Sequence, residues 1–379
     1  MKIVRIPINK PDLGDEEVEE VVKVLRSGFL TSSPPEGGPQ VKAFEAEFAS
    51  FVGVKRCVAV NSGTAALQLS LMALGVGPGD EVLVPSLSFV ATANAVLLVG
   101  AKPVFVDVNP ETYTMDPRDL ERKITPRAKA IMPVHLYGLM ADMDSIMSIA
   151  ERHKLLVVED AAQAHGSKIR GVSAGAIGSA GCFSFYPSKV MTTGEGGMVT
   201  TNSDEIAEVV RSLRTHGQEW VEGELVSVRV GGNFRMPELE AAIGRVQLKK
   251  LPKFLEARRR NAKVMTDVLS GVREVVTPIE PEGYTHNWYL YTIKLSNPRL
   301  RDAVKDRLNS MGIGATIYYR TPIHLMPLYR RLLGTSEGML PETERVSKLV
   351  LSIPVHHSMS SSEAQAVAEA VKEAVLRHA

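Results

Sequence analysis

A single lysine, Lys189, stands in an unusually uncharged stretch of this sequence. Residues 184–197 read SFYPSKVMTTGEGG, with aromatic and apolar neighbours on either side of the lysine. Most lysines are solvated surface charges, so these neighbours are the unusual feature. An amine in a partly apolar pocket can act as a nucleophile or as a base. The lysine is therefore a candidate catalytic group.

A second candidate is the stretch NSGTAAL at residues 61–67, which joins an apparent strand to a helix rich in Ala and Leu. The first backbone N–H groups of a helix lack intrahelical acceptors and favour a bound anion. Gly63, Thr64 and Ala65 would present those groups, and the Thr64 hydroxyl adds a donor. A simple helix N-cap explains the same residues equally well. The stretch is neither GxGxxG nor a Walker loop, so it does not indicate those nucleotide sites.

Two carboxylates, Glu159 and Asp160, end the apolar stretch LLVVED, and Gln163 and His165 follow them. Adjacent residues on a strand face opposite sides of a sheet, so the two carboxylates should not converge on one metal ion. We therefore expect no metal site. A single carboxylate at the end of a strand fits better with pairing to a cation on a ligand.

Two further residues follow or end apparent strands. Ser184 lies near the end of CFSFY, five residues before the lysine, and Phe89 lies just past EVLVP. An aromatic side chain at such a position usually packs in the core, but it could instead stack on the flat ring of a ligand.

Composition limits the kinds of partner. The chain has 379 residues, which suggests two domains, and its 44% hydrophobic and 23% charged residues are ordinary for a globular enzyme. The net charge of +1 gives no field that attracts nucleic acid or an acidic membrane. No apolar run approaches the roughly 20 residues of a membrane span, and the N-terminus lacks a signal-peptide pattern, so we expect a cytoplasmic protein. Cys57 and Cys182 are expected to be buried, reduced thiols.

Short apolar runs alternate with helical patterns from residue 56 onward. The runs predict strands at 57–60, 81–85, 103–108, 130–136, 155–160, 182–186 and 197–201. Helices are predicted at 15–27, 40–52, 64–74, 91–98, 142–153, 203–214 and 236–248. Continuous apolar strands separated by helices indicate an α/β fold with a mostly parallel central sheet covered by helices. Ligands in such folds bind outside the carboxyl ends of the strands.

The pattern changes after about residue 250. A basic helix at 253–271 is followed by a strand in NWYLYTIKL, a helix at 299–311, a strand in GATIYY and a C-terminal helix. We therefore predict a large domain at 1–250, which includes the N-terminal helical segment, and a smaller C-terminal α+β domain at 251–379. The basic residues Arg258, Arg259 and Arg260 are interpreted as a solvated helix face rather than a nucleic-acid site, because the net charge is close to zero.

Nine pieces of the sequence, spread in order along nearly the whole chain, together resemble one family. They are NSGTAAL, PSLSFVATANAV, FVDV, PVHLYG, VEDAAQAHGS, FSFYPSK, TTGEGGMV, GGNFRMPELEAAIG and YRTPIHLMPLY. The chain resembles the DegT/DnrJ/EryC1/StrS family of nucleotide-sugar aminotransferases, which are pyridoxal-phosphate (PLP) enzymes with the aspartate-aminotransferase fold. Each piece alone is weak, whereas nine in the family order are specific. The chain departs from the usual family residues at Val190 and Phe234, where Asn and Tyr are frequent.

The resemblance implies a role for each matching residue. Lys189 would hold PLP as an internal Schiff base, and Asp160 would pair with the pyridinium nitrogen. Gln163 would lie near the ring hydroxyl, and Phe89 would stack on the ring. The residues that would hold the phosphate are Gly63, Thr64, Ala65 and Ser184. Asn233 would reach the phosphate of the neighbouring subunit's cofactor, so the resemblance implies a homodimer with shared active sites.

Five further positions are weaker candidates for substrate contacts. His135 and Tyr137, in PVHLYG, could line the substrate side of the site. Tyr319 and His324, in YYRTPIHLMP, lie where the family contacts the mouth of the active site, although a packed tyrosine and a loop histidine are the ordinary interpretations. Arg235 could bind a substrate phosphate, and a structural ion pair explains it as well.

The implied reaction is the transfer of an amino group from an amino acid, by resemblance L-glutamate, to a keto group of a nucleotide-activated sugar. Family members with His at the lysine position act as dehydratases, whereas Lys189 favours transamination. Two alternatives stay open, namely another PLP-dependent reaction on a nucleotide sugar and a regulator that binds PLP or sugar without turnover. The sequence does not fix the sugar, the nucleotide or the carbon that is aminated.

Overall fold

The computed structural model describes residues 6–32 and 34–378. The helices are α1 Asp15–Ser27, α2 Pro39–Val52, α3 Gly63–Ala73, α4 Ala91–Leu98, α5 Pro117–Arg122, α6 Met143–His153, α7 Asp204–Arg214, α8 Glu238–Leu269, α9 Pro298–Ser310, α10 Pro327–Leu333, α11 Pro341–Ser347 and α12 Ser361–His378. The strands are β1 Arg56–Val60, β2 Glu81–Pro85, β3 Lys102–Val106, β4 Ala128–Ile131, β5 Leu156–Asp160, β6 Lys168–Ile169, β7 Val172–Ser173, β8 Ala180–Ser184, β9 Gly197–Thr201, β10 Gln218–Val221, β11 Glu224–Ser227, β12 Val275–Val276, β13 Tyr284–Thr285, β14 Tyr291–Leu295 and β15 Val350–Ile353.

A seven-stranded sheet forms the centre of the larger part of the molecule, with the strand order β1-β9-β8-β5-β4-β2-β3. Only β9 is antiparallel to its neighbours, β1 and β8, and the other neighbouring pairs are parallel. The predicted α/β fold with a mostly parallel sheet is therefore confirmed. Because the other six strands run in the same direction, their carboxyl ends meet at one edge of the sheet.

Side chains alternate between the two faces of this sheet, as the period of a strand requires. In β1, Val58 and Val60 pack on one face with α3, α4 and α7, whereas Cys57 and Ala59 pack on the other face with α2, α6 and α8. Both faces are thus covered, which explains why the strands read as continuous apolar runs. Both cysteines, Cys57 and Cys182, are free and buried.

Helix α2 packs an aromatic face against the strand that leads to the lysine. The Phe48 and Phe183 ring centroids lie 5.1 Å apart, and those of Phe44 and Phe185 lie 5.2 Å apart. Edge-to-face and tilted pairs of this kind add stability beyond the area that they bury. The i, i+4 spacing of the two α2 phenylalanines places both rings on one helix face, and this contact fixes the end of β8.

The C-terminal part has its own small sheet and core. Strands β12, β14 and β15 form an antiparallel sheet in the order β12-β14-β15, and α9, α12 and the second half of α8 contribute to one hydrophobic cluster with it. The segment GATIYY, predicted as a strand, is not one, and within it only Thr316 forms a bridge, to Ser352. Further along, Ile323, Tyr329 and Leu340 pack with the α3, α4 and α7 side of the large sheet. The domain boundary near residue 250 stays a prediction.

Two observations bear on the expected partners. Over the ranges 6–32 and 34–378, no helix combines the length and the apolar composition that a membrane crossing requires. The same ranges hold no group of three or more His, Cys, Asp or Glu side chains that could bind a metal ion.

Helix α8 is continuous where the sequence predicted two helices. It spans 32 residues and contains Pro252, whose side chain is exposed. A proline inside a helix removes one backbone hydrogen bond and crowds the preceding turn. Because the flanking residues Leu251 and Phe254 are buried, packing on both sides holds the helix together across the proline.

Replacing Pro252 with Ala should therefore stabilise the protein by about 2 kcal/mol, since alanine restores the missing N–H donor while the unfolded chain gains some freedom. Thermal unfolding followed by circular dichroism measures the effect. Lys253→Ala, at an exposed neighbouring position, is the matched control and should melt close to the wild type. A Pro252→Ala variant that melts below this control would show instead that the proline directs α8 towards the C-terminal part.

Candidate active site

The predicted site residues converge on the carboxyl edge of the large sheet. The turn that follows β1, the last residue of β5 and the last residue of β8 supply the 61–67 stretch, Asp160 and Ser184. Lys189 follows β8 by five residues and is partly exposed. Asp160 ends β5, and β8 pairs with β5, so Lys189 and Asp160 belong to the same edge of the sheet. This edge is where open parallel sheets bind ligands.

The first turn of α3 is arranged as an anion site, with one change from the sequence prediction. Ser62 caps the helix, and its hydroxyl oxygen accepts the Ala65 N–H at 3.1 Å. The predicted role for the Ala65 amide is not supported, because that donor is already engaged. Gly63 and Thr64 begin the same turn, and neither amide donates to a side chain of the described residues.

Close backbone approach explains the glycines around this turn. A Cβ atom on Gly63 would lie 2.7 Å from the Ser184 Cβ, so the glycine lets α3 begin directly beside Ser184. A Cβ atom on Gly197 would lie 2.3 Å from the Ser62 carbonyl oxygen. Gly196 has a φ of 149°, which side chains rarely tolerate. The GEGG stretch therefore makes room for the Ser62 turn itself.

Asp160 is a buried carboxylate with few partners. Its Oδ2 accepts from the Thr92 hydroxyl at 2.7 Å, and its Oδ1 accepts from the Ala162 N–H at 3.2 Å. Burial raises the pKa of Asp160, and the Thr92 hydrogen bond and the Lys189 charge oppose that rise only in part. A cation placed against this carboxylate would relieve the cost of its burial.

Glu159 faces the opposite side of the sheet, as the alternation of strand residues predicts. Its two oxygens accept four hydrogen bonds, one from the His135 Nε2 at 2.8 Å and three from backbone amides of residues 175–178 at 2.7–2.8 Å. Burial would raise the pKa of Glu159, but the bonds from His135 and the amides outweigh it and lower that pKa. This carboxylate is structural.

The two histidine candidates are both engaged inside the protein. His135 is fully buried, and its second ring nitrogen, Nδ1, accepts the Ala141 N–H at 3.2 Å. His324 is also fully buried, with Nδ1 at 2.7 Å from the Ser86 hydroxyl and Nε2 at 3.1 Å from Glu344. Neither ring has a nitrogen left for a substrate, so the geometry does not support the substrate role considered for these two residues.

Two of the aromatic candidates, Phe89 and Tyr319, lie together. Phe89 is 56% exposed, and its ring centroid is 6.4 Å from that of Tyr319. The Gln163 Nε2 donates to the Tyr319 hydroxyl at 3.4 Å, and its Oε1 accepts the Tyr137 N–H at 2.8 Å. Tyr137 is buried, and its hydroxyl donates to the Tyr318 carbonyl. Phe89, Gln163 and Tyr319 thus form one wall of the site.

Asn233 and Arg235 stand apart from this group. Asn233 is exposed and pairs through its backbone with Thr215, whereas Arg235 is half-buried and pairs through its backbone with Val60. Across the described residues, neither side chain makes a hydrogen bond or an ion pair within the chain. Both are therefore free to meet a ligand or a second subunit.

Sequence reasoning missed Tyr289. The Lys189 Nζ lies 5.0 Å from the centroid of the Tyr289 ring, and the Tyr289 hydroxyl lies 3.2 Å from the Ser188 hydroxyl. The surrounding stretch NWYLYTIKL carries a strand pattern, and the strand begins only at Tyr291. No local signal in the sequence distinguishes this tyrosine from an ordinary strand residue.

Arg258 corrects the interpretation of the basic helix as a solvated face. It is completely buried, and its guanidinium donates to the Trp288 and Tyr289 carbonyls and to the Asn9 Oδ1, each at 3.1 Å. Burial lowers its pKa to about 10. The side chain therefore fixes the backbone of Tyr289, and with it the ring that faces the lysine.

The sequence model of the DegT/DnrJ/EryC1/StrS aminotransferase family matches residues 11–372. The chain belongs to this family. The match covers nearly the whole sequence, so the resemblance inferred from nine separate pieces is confirmed, and the protein is an aminotransferase.

Three relatives show the range of the family. The GDP-perosamine synthase of Caulobacter vibrioides is 39% identical, with 98% of this chain and 99% of the relative aligned. The dTDP-3-amino-3,4,6-trideoxy-alpha-D-glucose transaminase of Streptomyces venezuelae is 40% identical over 96% of this chain and 93% of the relative. A pleiotropic regulatory protein of Geobacillus stearothermophilus is 42% identical over 93% of this chain and 94% of the relative.

Two solved structures are similar over the whole chain. The aminotransferase TlmJ from Streptoalloteichus hindustanus has a TM-score of 0.92 at 35% identity and covers 99% of this chain and 100% of its own. The Streptococcus pneumoniae protein Spr1654, in its PLP form, has a TM-score of 0.93 at 29% identity and covers 99% and 100%. The family thus implies PLP as the cofactor.

The residues at the sheet edge suit that cofactor by type and by arrangement. A phosphate suits the first amides of α3, which begin directly beside Ser184 because Gly63 has no Cβ. A pyridinium nitrogen suits Asp160, which is buried and accepts two hydrogen bonds from the described residues. An aldehyde suits the Lys189 amine, and a flat ring suits the exposed face of Phe89.

Stability at mild acidity should depend on His165, whose ring packs between Phe183 and Phe185 with centroids at 5.2 and 5.7 Å. Burial, with the Lys189 charge adding to it, lowers its pKa from 6.5 to about 3. As the pH falls below 6.5, the unfolded chain takes up a proton that the folded protein refuses. This one group should then reduce the free energy of unfolding by about 1.4 kcal/mol per pH unit.

His165→Phe removes the titrating group, so its melting temperature should fall less steeply between pH 6.5 and pH 4.5 than that of the wild type. The same replacement at the exposed His378 is the control and should leave the slope unchanged. Equal slopes for the wild type and His165→Phe would contradict the assignment, whatever the absolute melting temperatures.

Proposed function

We propose that this protein moves an amino group from L-glutamate to a keto group of a nucleotide-activated sugar, with PLP held by Lys189. The observation that carries the proposal is the meeting of an amine, a buried carboxylate and a helix N-terminus at one edge of the sheet. Relatives whose names specify GDP- and dTDP-linked sugars support the nature of the acceptor.

Different residues of the site would hold different parts of the cofactor. When bound, PLP acts as an electron sink and carries the amino group between the two halves of the reaction. Asp160 would keep the ring nitrogen protonated, and its burial would strengthen that ion pair. The amides of Gly63 and Thr64, with the Ser184 hydroxyl, would hold the phosphate. Phe89 would stack on the ring.

Lys189 supplies the acid–base chemistry. With the cofactor bound, the Lys189 Nζ would carry a proton to and from the substrate Cα. The ring of Tyr289 lies beside this amine, and the tyrosine hydroxyl is within hydrogen-bonding distance of the Ser188 hydroxyl. The Tyr289 ring is thereby held in place next to the lysine. General acid–base catalysis of this kind contributes about 10²–10⁴-fold to a rate.

The alternatives are disfavoured by the same residues. A dehydratase of this family has His in place of the lysine, and this chain has Lys189. One relative is named a pleiotropic regulatory protein. A regulator without turnover would not need both a lysine and a buried aspartate at the same edge of the sheet. Product analysis separates these possibilities.

Lys189→Ala should abolish the absorbance of the Schiff base between the protein and PLP and reduce turnover by at least about 100-fold, because the covalent anchor and the proton carrier are both lost. The wild type, mixed with L-glutamate and a panel of nucleotide keto-sugars, should yield 2-oxoglutarate and an amino-sugar nucleotide by mass spectrometry. Lys253→Ala is the matched control and should react as the wild type does. Normal turnover in Lys189→Ala would reject the proposal, and a dehydrated rather than aminated product would favour the alternative reaction.

A homodimer with shared sites is part of the proposal. Asn233 lies at the base of the hairpin formed by β10 and β11, where Thr215 and Asn233 pair. The hairpin exposes Trp220 at 54%, and the segment that follows it exposes Val230 at 87%. Large apolar side chains exposed on and beside one hairpin support burial against a second copy.

Hybrid dimers test whether each site uses Asn233 of the partner. Lys189→Ala and Asn233→Asp, the second placing a negative charge against the phosphate, should each be inactive alone. A hybrid of the two variants should regain activity, because one of its two sites then combines Lys189 with an intact Asn233 from the other subunit. Sites contained within one chain would leave both halves of the hybrid defective, and the hybrid would stay inactive.

A further inference from the structure

Two buried hydroxyl groups form a hydrogen-bonded chain that ends at Asp160, and neither takes part in the proposed amino transfer. Thr92 Oγ1 donates to Asp160 Oδ2 at 2.7 Å, and Ser88 Oγ lies 2.9 Å from Thr92 Oγ1. Ser88 and Thr92 are both essentially without solvent exposure. The three groups therefore form a chain of hydrogen bonds that ends at the carboxylate assigned to the cofactor ring.

The chemistry of the groups fixes the direction of this chain. An ionised carboxylate can only accept, and a threonine hydroxyl has a single proton. When Asp160 is ionised, the Thr92 proton must point to Asp160, and Ser88 must then donate to Thr92. When Asp160 is protonated, it can donate to Thr92 instead, and the chain can reverse. The hydroxyl pair thus responds to the charge of Asp160.

The backbone ties the hydroxyl chain to the aromatic wall of the site. The Thr92 N–H donates to the Phe89 carbonyl at 3.2 Å, at the point where the turn after β2 becomes α4. Ser88, Phe89 and Thr92 therefore belong to one turn, which offers hydroxyl groups to Asp160 and an aromatic face to the ligand. A hydroxyl group in the core could be paired by a nearby backbone carbonyl, whereas the Thr92 hydroxyl donates to the Asp160 carboxylate.

We propose that Thr92, supported by Ser88, is a positioning residue that keeps Asp160 ionised and aimed at the ring nitrogen of the cofactor. The inference rests on the proposed function, because it presumes that PLP binds at this site. Among residues 6–32 and 34–378, the other hydrogen-bond donor to the Asp160 side chain is the Ala162 N–H at 3.2 Å, and burial opposes the charge of this carboxylate. Removing the Thr92 hydroxyl would leave the ionised carboxylate with a single weak donor.

The matched variants are Thr92→Val, which keeps the shape and loses the hydroxyl, and Thr92→Ser, which keeps the hydroxyl. The full-length protein, stripped of cofactor, is titrated with PLP and with 1-deaza-PLP, in which carbon replaces the ring nitrogen. Thr92→Val should weaken PLP binding by about 10-fold or more, the size of one hydrogen bond to a charged group. Thr92→Ser should bind PLP as the wild type does. The deaza analogue should bind all three proteins equally, since it cannot use Asp160.

The pH dependence gives a second readout. The pH above which PLP binding becomes tight should rise by about one unit in Thr92→Val, because ionising Asp160 then costs more. Ser88→Ala should shift binding in the same direction by a smaller amount. If Thr92→Val does not fold, Ser88→Ala alone tests the inference: the pH above which PLP binds tightly should rise, and an unchanged pH would contradict the inference.

Three results would overturn the inference. Thr92→Val could bind PLP with unchanged affinity and an unchanged pH profile. It could lose affinity for PLP and for the deaza analogue alike, which would indicate a purely structural role. Wild-type protein that takes up no PLP would reject the proposed function and this inference with it, whereas equal variants beside a PLP-binding wild type would reject the inference alone.

Discussion

Two adjacent carboxylates, Glu159 and Asp160, lie buried at the end of β5. They face opposite sides of the sheet and differ in the number of hydrogen-bond donors that surround them, and the rest of the site depends on this difference. A buried charge is costly unless donors or a counter-charge offset its lost hydration. Glu159 receives four donors and thereby holds His135 and the loop at 175–178 in place. Asp160 receives two from the residues that the structure describes. The fold therefore gives one carboxylate a full set of donors, and under our proposal it leaves the other for a cationic ligand.

The turn between β2 and α4 connects these carboxylates to the C-terminal part. Ser86 bonds to His324, and Glu344 holds the other side of that ring, so the segment that carries Tyr319 is fixed to the end of β2. Three residues later Phe89 meets Tyr319, and Thr92 reaches Asp160. This short turn therefore positions the wall formed by Phe89, Gln163 and Tyr319 relative to Asp160.

Much of the large domain was predictable because local patterns and tertiary packing agree. The predicted helices at 15–27 and 91–98 match α1 and α4, and all seven predicted strands are present in the sheet. The joining of two predicted helices into α8 was not predictable, since local rules disfavour Pro252 and only packing on both sides sustains the helix. The cytoplasmic location and the domain boundary stay predictions.

The site was predictable to the extent that it rests on strand ends. Lys189, Asp160 and Ser184 follow from apolar runs that stop at chemically distinctive residues. Tyr289 and Arg258 could not be found in this way, because each acts through partners that are distant in sequence and looks locally like a strand or a basic helix face.

The two sides of the site are built differently, and this difference bears on specificity. The floor of the site contains the buried side chains of Asp160 and Thr92, and the half-buried first turn of α3 begins beside it. Asn233 and Arg235, further out, are exposed and half-buried, and among the described residues neither side chain makes a hydrogen bond or an ion pair. Changes at these outer positions disturb few buried contacts, whereas changes in the floor disturb the core. Under the proposed function, variation in the sugar acceptor would accumulate among the outer residues, while the buried floor would continue to hold the cofactor.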